Sequence, residues 1–423
     1  MGEGEAHRGT RWEGEGILSP LKPTSADDLL ASVKDALAAA TPLEILGRGT
    51  KRDLGRPFQA GRKLDLSAMT GVTLYEPGEL VLSARAGTPL AEIEVLLKQN
   101  RQELAFEPPD LGPLLGGAAS MQTIGGVIAG NLAGPRRIKS GAARDHFLGF
   151  TAVSGRGEVF KSGGRVMKNV TGYDLSKLLA GSWGTLAVMS DVTLKVLPAA
   201  EKTRSVLVMG LDPAQATQAM AAALQSPHEV AGAAYLPAPL SARSSASYVS
   251  NAGASVTALR LEGTPGSVAW RCEQLKTQLA AFGPVEELHS MNSAKLWREL
   301  RDVAYLVQPQ DRPLWRLSVP PQSGAAMIAQ ISRLIDATWF LDWGGGLVWL
   351  TVPRDVHDAG AALIRDAVGE HGHATLYRAP ADLRAQIAVF QPQPPALAAL
   401  TRRVKDSFDP QRILNPGRMY AGV

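Results

Sequence analysis

The stretch TIGGVIAGNLAGPRRIKSGAARDHFLGF, residues 123–150, decides the fold because it combines much bare backbone with a cluster of charges. Isoleucine, valine and leucine interrupt the glycines and alanines, so the segment does not have the composition of a flexible linker. Gly125, Gly126 and Gly130 leave backbone open where something planar and large could lie, and Asn131 could hydrogen-bond a polar edge. A tight internal turn explains the same residues, so this segment alone leaves both interpretations open.

A second glycine-rich segment, GRGTKRDLG at residues 47–55, follows a short apolar strand. Glycines expose backbone N–H groups that can bind an anion, and neighbouring cations add attraction. The glycines and cations concerned are Gly47, Gly49, Arg48, Lys51 and Arg52. A surface turn with solvated charges remains the alternative for this turn taken alone. Together, a basic nest and a long Gly/Ala loop predict a site for an extended dinucleotide.

Two common nucleotide-binding patterns are missing from the sequence. No G-x-G-x-x-G opens a helix here, so a Rossmann site is unsupported, and no G-x-x-x-x-G-K-S/T predicts a P-loop. The G-x-G within GRGEVF has no third glycine and falls in a predicted hairpin turn. The expected dinucleotide site therefore belongs to a different fold.

Composition narrows the class of protein. A chain of 423 residues predicts two domains, and its net charge of +4 without a Lys/Arg run argues against a nucleic-acid binder. Cys272 is the single cysteine, which excludes an internal disulfide and an iron–sulfur centre built by this chain alone. We expect a reducing compartment.

The first 17 residues are polar, carry no apolar signal-peptide segment and predict a disordered tail. No apolar run in the sequence is long enough to cross a bilayer. These features favour the cytoplasm, and contact with the inner face of a membrane through a complex stays an open alternative.

Alternating strand-like and helix-like segments divide the chain. An N-terminal domain is expected over residues 18–200, because Pro198 and the polar residues after it indicate a domain boundary. Strands then alternate with alanine-rich helices over residues 204–380, which predicts a second α+β domain. Residues 395–423 begin with a helix and form a separate C-terminal segment.

Several longer phrases resemble a known family: GRGTK, EPGELVLSARAGTPLAEIEVLL, TIGGVIAGNLAGP, KNVTGYDLSKLLAGSWGTL, HGHATLYRAP and FDPQRILNPGR. They are similar to the vanillyl-alcohol-oxidase/p-cresol-methylhydroxylase type of FAD-binding fold, and more narrowly to FAD-binding subunits of bacterial glycolate oxidases. The resemblance implies an α+β protein with a two-subdomain FAD-binding domain, an α+β cap domain, and a C-terminal segment that returns to the FAD domain.

The same resemblance implies which residues hold FAD, without a covalent link. Residues 47–51 would wrap the pyrophosphate, and the second segment would line the flavin and ribityl side. The residues implied are Gly47, Arg48, Gly49, Thr50, Lys51, Thr123, Gly125, Gly126, Ala129, Asn131, Gly141, Val188 and Asn415. His146 has the simpler expectation of a hydrogen-bonded packing residue.

Oxidation of a 2-hydroxy acid needs a cation for the carboxylate and a base for the hydroxyl proton. His373, Arg378 and Trp343 are the catalytic candidates, as base, carboxylate ligand and pocket wall. A solvated histidine, a surface arginine and a buried aromatic residue are the alternatives. His371 and His373 lack the acidic pair that metal-binding relatives would need, so no metal site is predicted.

The functional prediction is an FAD-dependent subunit that oxidises a 2-hydroxy acid such as glycolate. The resemblance implies a homologous flavoprotein subunit and an iron–sulfur subunit as partners. A self-sufficient FAD-dependent D-2-hydroxy-acid dehydrogenase and a non-catalytic relay or scaffold subunit remain open alternatives.

Overall fold

The computed structural model describes residues 19–58, 60–164 and 172–423. The predicted N-terminal tail, and part of the KNVTGYDLSK phrase, lie outside the described residues. The described chain forms an α+β fold, as the sequence predicts, with each of its larger sheets built from a different half of the chain.

The N-terminal half contains short strands interrupted by short helices. In chain order these are α1 Ala26–Ala38, β1 Leu43–Leu46, β2 Arg62–Asp65, β3 Val72–Glu76, β4 Val81–Arg85, α2 Leu90–Gln99, β5 Gln102–Glu103, α3 Ile124–Ala129, α4 Arg137–Ser140, α5 Ala143–His146, β6 Phe147–Ser154, β7 Val159–Gly163, α6 Leu175–Leu179, β8 Ala187–Lys195 and β9 Leu197–Pro198.

The described residues of this half form three sheets, of which the smallest is the short antiparallel pair of β5 and β9. Strands β1 and β2 pair in parallel and pack with α1, whose N-cap Ser25 forms a capping box with Asp28. A five-stranded antiparallel sheet has the order β3-β4-β8-β6-β7. The hairpin of β6 and β7 confirms the expectation for GRGEVF, whose glycines lie in its turn.

The Gly/Ala segment is a short helix and not the long loop expected from its composition. Thr123 caps α3 by accepting a hydrogen bond from the Gly126 amide. The amide of Gly125 donates to the Ala86 carbonyl at the end of β4, 2.8 Å away. These bonds seat α3 against the five-stranded sheet, which a flexible loop would not achieve.

The C-terminal half begins at Lys202 and contains most of the long helices. Its elements are β10 Lys202–Met209, α7 Pro213–Leu224, β11 Gly232–Leu236, α8 Ala238–Ser241, α9 Ser247–Ser250, β12 Val256–Gly263, α10 Pro265–Leu279, β13 Val285–Leu288, α11 Ser290–Arg301, β14 Leu314–Ser318, α12 Gly324–Ser332, β15 Thr338–Asp342, β16 Leu347–Thr351, α13 Ala361–Val368, β17 His373–Arg378, α14 Ala381–Gln386 and α15 Pro395–Phe408.

An eight-stranded antiparallel sheet, in the order β13-β10-β12-β11-β15-β16-β14-β17, forms the centre of this half. Side chains of successive residues point to opposite faces of a strand. On β14, Trp315 is fully buried on the face where its indole donates to the Ala359 carbonyl and Arg365 of α13 packs over its ring. Arg316 therefore points to the other face, which turns towards the N-terminal half.

The end of the chain returns to the N-terminal half. After α15, Leu414 forms a parallel bridge with Leu43 of β1. Lys405 is fully buried and donates to the Asp409 carboxylate and to the carbonyls of Thr185 and Leu414. This returning segment brings Asn415 and Arg418 next to the glycine-rich residues described below.

Candidate cofactor-binding and active site

A cavity of about 700 Å³ lies where the two glycine-rich segments meet. Its lining combines both segments with residues from β1, β8 and the C-terminal segment. The lining residues are Ile45, Leu46, Gly47, Arg48, Gly49, Thr50, Lys51, Arg52, Leu66, Ala86, Thr123, Gly125, Gly126, Ala129, Trp183, Gly184, Ala187, Val188, Met189, Asn415 and Arg418. All the predicted cofactor-binding residues except Asn131 and Gly141 are among them.

The glycines let the two segments approach closely. A Cβ atom on Gly47 would lie 2.4 Å from Thr123 Oγ1, and one on Gly125 would lie 2.8 Å from the Ala86 carbonyl oxygen. Gly49 has a φ of 72°, a conformation that other residues rarely adopt. A Cβ atom on Gly126 would lie 3.3 Å from Thr123 Oγ1, a slightly tight contact, and 3.4 Å from Lys51 Cε. Glycine is thus needed to build the cavity at the first three positions, and at Gly126 it leaves space.

The cavity is electropositive. Burial lowers the pKa of Lys51 to about 8, and burial lowers the pKa of Arg418 to about 10. Arg418 donates to the Lys51 carbonyl, while its buried Nε atom has no partner among the described residues. No acidic side chain is among the described residues that line the cavity. Two buried cations without a carboxylate make a site that an anion would complete.

Asn415 joins two walls of the cavity. Its Oδ1 accepts a hydrogen bond from the Ile45 amide, and its Nδ2 donates to the Trp183 carbonyl, both at 2.8 Å. Trp183 lies beneath the Arg418 guanidinium, whose Cζ is 5.5 Å from the ring centroid. The returning C-terminal segment therefore fixes both a polar wall and an aromatic wall.

Asn131 and Gly141 lie outside the cavity lining. The Asn131 side chain accepts a hydrogen bond from the Arg144 amide, 3.0 Å away. Gly141 has a φ of 80° at the end of α4, and a Cβ atom there would collide with the Asp145 carboxylate. The structure gives both residues a role in shaping the loop that follows α3.

The predicted catalytic residues do not form one cluster. Trp343 is buried between the two halves of the molecule and donates from Nε1 to the Gly134 carbonyl at 3.0 Å. His373 is exposed at the start of the edge strand β17. Arg378 is buried at the other end of that strand.

Arg378 requires a correction of its predicted role. Its Nε and both terminal nitrogens donate to backbone carbonyls at 2.9–3.1 Å. The acceptors are Arg312, Leu114, Val307, Leu306 and Pro309. Since a guanidinium has five N–H donors, this bonding leaves none for a substrate carboxylate. Arg378 therefore has a structural role, because its hydrogen bonds hold the backbone around residues 306–312 in place.

Comparison with known proteins decides the family. Residues 20–163 match the FAD binding domain family, and residues 386–419 match the C-terminal domain of FAD linked oxidases. Glycolate oxidase subunit GlcE of Escherichia coli (strain K12) is 35% identical over 393 residues, which cover 93% of this chain and 97% of that protein. The chain belongs to the GlcE family.

More distant relatives share the GlcE-family architecture. Glycolate oxidase subunit GlcD of Bacillus subtilis (strain 168) is 22% identical across 95% of this chain and 88% of its own length. The solved structure of p-cresol methylhydroxylase with substrate bound superposes with a TM-score of 0.69 at 15% identity, covering 94% of this chain and 87% of that one. Both the fold resemblance and the expected cofactor are confirmed: this GlcE-family chain is an FAD-dependent oxidoreductase.

Sequence reasoning missed several residues around the site. Arg418 and Trp183 were present in the quoted phrases LNPGR and GSWGTL, but only the Asn415 of the first was singled out. Arg137 and Arg316 were not singled out either, although each lies against Trp343. The missing signal is spatial, because these contacts join residues that are far apart along the chain.

Two findings describe what the chain lacks within residues 19–58, 60–164 and 172–423. No helix there is long and apolar enough to span a membrane. In the same residues, no group of three or more His, Cys, Asp or Glu side chains is placed to hold a metal ion.

Proposed function

We propose that this chain is the FAD-binding subunit of a glycolate oxidase complex, and that the complex oxidises glycolate to glyoxylate. The observation that carries the proposal is the cavity at the two glycine-rich segments, where Lys51 and Arg418 are buried and the described lining residues include no acid. The names of the relatives GlcE and GlcD support the substrate, since both are called glycolate oxidase subunits.

Several residues fit the proposed cofactor. Lys51 and Arg418 would offset the two negative charges of the FAD pyrophosphate, and the backbone of residues 47–50 would supply N–H donors. Gly126, Ala129 and Val188 would leave room for the rest of the cofactor. When bound, FAD supplies a two-electron acceptor for the hydride that leaves the substrate carbon.

Each domain of the chain has its own proposed role. Residues 18–200 would form the FAD domain, residues 204–380 the cap that covers the substrate, and residues 395–423 the segment that closes the cofactor cavity. His373 remains the proposed base of the sequence analysis, and Trp343 remains the proposed pocket wall. The chain's part in the reaction is to orient the acid, exclude water and accept the hydroxyl proton.

We also propose that the electrons leave through partner subunits. Cys272 is the only cysteine, so an iron–sulfur cluster needs another chain. A flavoprotein subunit homologous to this one and an iron–sulfur subunit are the proposed partners, in the cytoplasm, with contact to the inner membrane face through the complex.

The cofactor part of the proposal is tested by paired substitutions at Gly126. Gly126→Leu should yield a colourless protein, because the longer side chain extends into the cavity. Gly126→Ala should keep the flavin absorption band, because its Cβ atom needs only a shift of a few tenths of an ångström in the Thr123 side chain. Folding of both variants is followed by circular dichroism. Normal flavin content in a folded Gly126→Leu variant would contradict this placement.

The catalytic part is tested by mixing the FAD-loaded protein with glycolate without oxygen. We expect the flavin band of the purified complex to bleach, and the complex lacking this chain not to reduce a dye with glycolate. Bleaching of the isolated chain by D-lactate or glycolate would favour the self-sufficient dehydrogenase. A complex that keeps full activity with the folded, FAD-free Gly126→Leu chain would favour the scaffold role.

A further inference from the structure

Two guanidinium groups from different halves of the molecule lie against the Trp343 ring. Arg137 at the start of α4 has its Cζ 4.8 Å from the centroid of the indole ring, and Arg316 of β14 has its Cζ 4.9 Å from it. The hydrogen bond from the indole to the Gly134 carbonyl fixes the ring at this boundary. Both cations therefore meet where the eight-stranded sheet faces the FAD-binding half.

Neither guanidinium has an acidic partner. Among the residues that the structure describes, no salt bridge or side-chain hydrogen bond is formed by Arg137 or Arg316. Desolvation and the charge of Arg316 lower the pKa of Arg137, and the charge of Asp145 offsets part of that effect. Without an ion-paired acid among the described residues, the two cations repel one another until an anion joins them.

The surroundings exclude water from one side of this pair. Trp349 and Tyr377 are buried on the same face of the sheet, with their rings in edge-to-face contact at 5.0 Å, and Arg316 lies 5.9 Å from the Trp349 ring. Arg137 is exposed on the opposite side. The result is a partly desolvated cationic position with an open side, in which a hydrogen-bonded anion is held more strongly than in water.

Asp342, the residue before Trp343, is a buried acid that does not fill this role. Its carboxylate accepts a hydrogen bond from the Trp343 amide at 2.7 Å, and the charge of Arg316 acts on it although the described residues show no ion pair between them. Burial raises the pKa of Asp342 to about 7, so it carries only part of a charge near neutral pH. Within the described residues, neither arginine is therefore neutralised by an ion pair.

We propose that Arg137 and Arg316 together bind the carboxylate of a small organic acid, with the Trp343 ring as a wall of the site. The inference rests on the proposed function and specifies which residues recognise the acid. Guanidinium groups match the planar geometry of a carboxylate and can bind it with two parallel hydrogen bonds. Lys51 and Arg418 are available for the cofactor pyrophosphate, so this second cationic pair is left for the substrate.

The experiment measures binding of oxalate, an unreactive dicarboxylate, to the FAD-loaded full-length protein by calorimetry. Arg316→Gln and Arg137→Gln should each weaken oxalate binding about tenfold or more, as expected for a lost charge-assisted hydrogen-bonded pair. Arg316→Lys keeps the charge and should restore part of the affinity. Arg333→Gln, at an exposed position after α12, is the matched control and should bind oxalate as the original protein does.

The outcomes separate this inference from the proposed function. Unchanged oxalate affinity in both folded Gln variants, or no oxalate binding to the original FAD-loaded protein, would overturn the arginine site. Flavin bleaching by glycolate in the complex tests the function independently of oxalate. Arg137 is exposed, so its Gln variant should fold even if Arg316→Gln does not, and a higher KM for glycolate with little change in kcat is expected from it.

Discussion

Two groups of buried cations in this protein have opposite surroundings. Between the halves, Arg260 donates to both oxygens of Glu107 at 2.7 and 2.8 Å, and Arg136 pairs with Glu103, Glu107 and Glu262. In the cofactor cavity, Lys51 and Arg418 are similarly buried, but the part of the lining that the structure describes gives them no acidic partner.

The difference shows which cations stabilise the fold and which await a ligand. Desolvation favours protonation of Glu107, yet Arg260 and Arg136 outweigh it and lower its pKa to about 2, so the cluster is charged and internally neutralised. Lys51 behaves in the opposite way, since burial lowers its pKa to about 8 and Asp110, which does not line the cavity, offsets only part of that shift. A buried cation without a compensating acid destabilises the folded protein, which makes it a candidate for a functional role. Anion binding is the role that this cavity supports.

The largest expected effect is on the compensated cluster. Arg260→Met leaves Glu107 buried without its bidentate partner and should lower the free energy of unfolding by about 3–5 kcal/mol. Urea denaturation of the apoprotein at neutral pH measures the change. A loss below about 1 kcal/mol would mean that the cluster resembles a surface ion pair.

A change in the uncompensated group should act on the ligand instead. Lys51→Met removes one of the two buried cations in the cavity and should weaken FAD binding by about 1.5–3 kcal/mol, the range for hydrogen bonds to charged groups. The apoprotein should be as stable as before or more stable, because a desolvated charge is lost. FAD titration followed by flavin fluorescence, together with urea denaturation, checks both results; a large loss of stability with unchanged FAD affinity would reverse the assignment.

The pKa of Lys51 predicts how pH affects the two states. An unfolded lysine titrates at 10.5 and folded Lys51 at about 8, so the unfolded chain binds more protons between these values and the apoprotein gains stability as pH rises through them. A bound pyrophosphate would favour protonated Lys51, so FAD affinity should fall as pH rises above about 8. FAD titrations from pH 7 to pH 10 test this. In Lys51→Met both trends should flatten, and an equal slope in that variant would assign them to another group.

The smallest effect is expected at an exposed ion pair. Lys139 and Glu229 lie 3.4 Å apart with 49% and 68% of their side-chain surfaces exposed. Lys139→Met should change the free energy of unfolding by less than about 1 kcal/mol. The same urea experiment measures this change in the free energy of unfolding and provides the baseline for Arg260→Met. A larger loss would show that the exposure of an ion pair does not predict its contribution to stability.

The cofactor site could be predicted further from the sequence than the substrate site. Its glycines occur in two local patterns, and a nest such as residues 47–51 is recognisable because the backbone conformation depends on neighbouring residues. The arginines around Trp343 gave no such signal. Whether the side chain of Arg316 or that of Trp315 faces the other half depends on the register of β14 in the sheet. A shift of β14 by one residue would exchange the faces to which the two side chains point.

Arg378 shows why residue type alone was misleading. A guanidinium beside a glycine-rich strand fits a carboxylate, but its planar fork fits backbone carbonyls equally well, and only the position of residues 306–312 decides between them. The α3 segment was misread for a related reason. Glycine content predicts a loop, whereas the Thr123 cap and the bond from Gly125 to Ala86 make it helical.

The buried Lys405 has a consequence for how the holoprotein is assembled. Its bonds to Asp409, Thr185 and Leu414 hold the segment that delivers Asn415 and Arg418 to the cavity wall. During translation, the N-terminal half leaves the ribosome long before residues 405–418 are made. Tight flavin loading should therefore wait until Asn415 and Arg418 have been made, because a product terminated before them lacks part of the cavity wall.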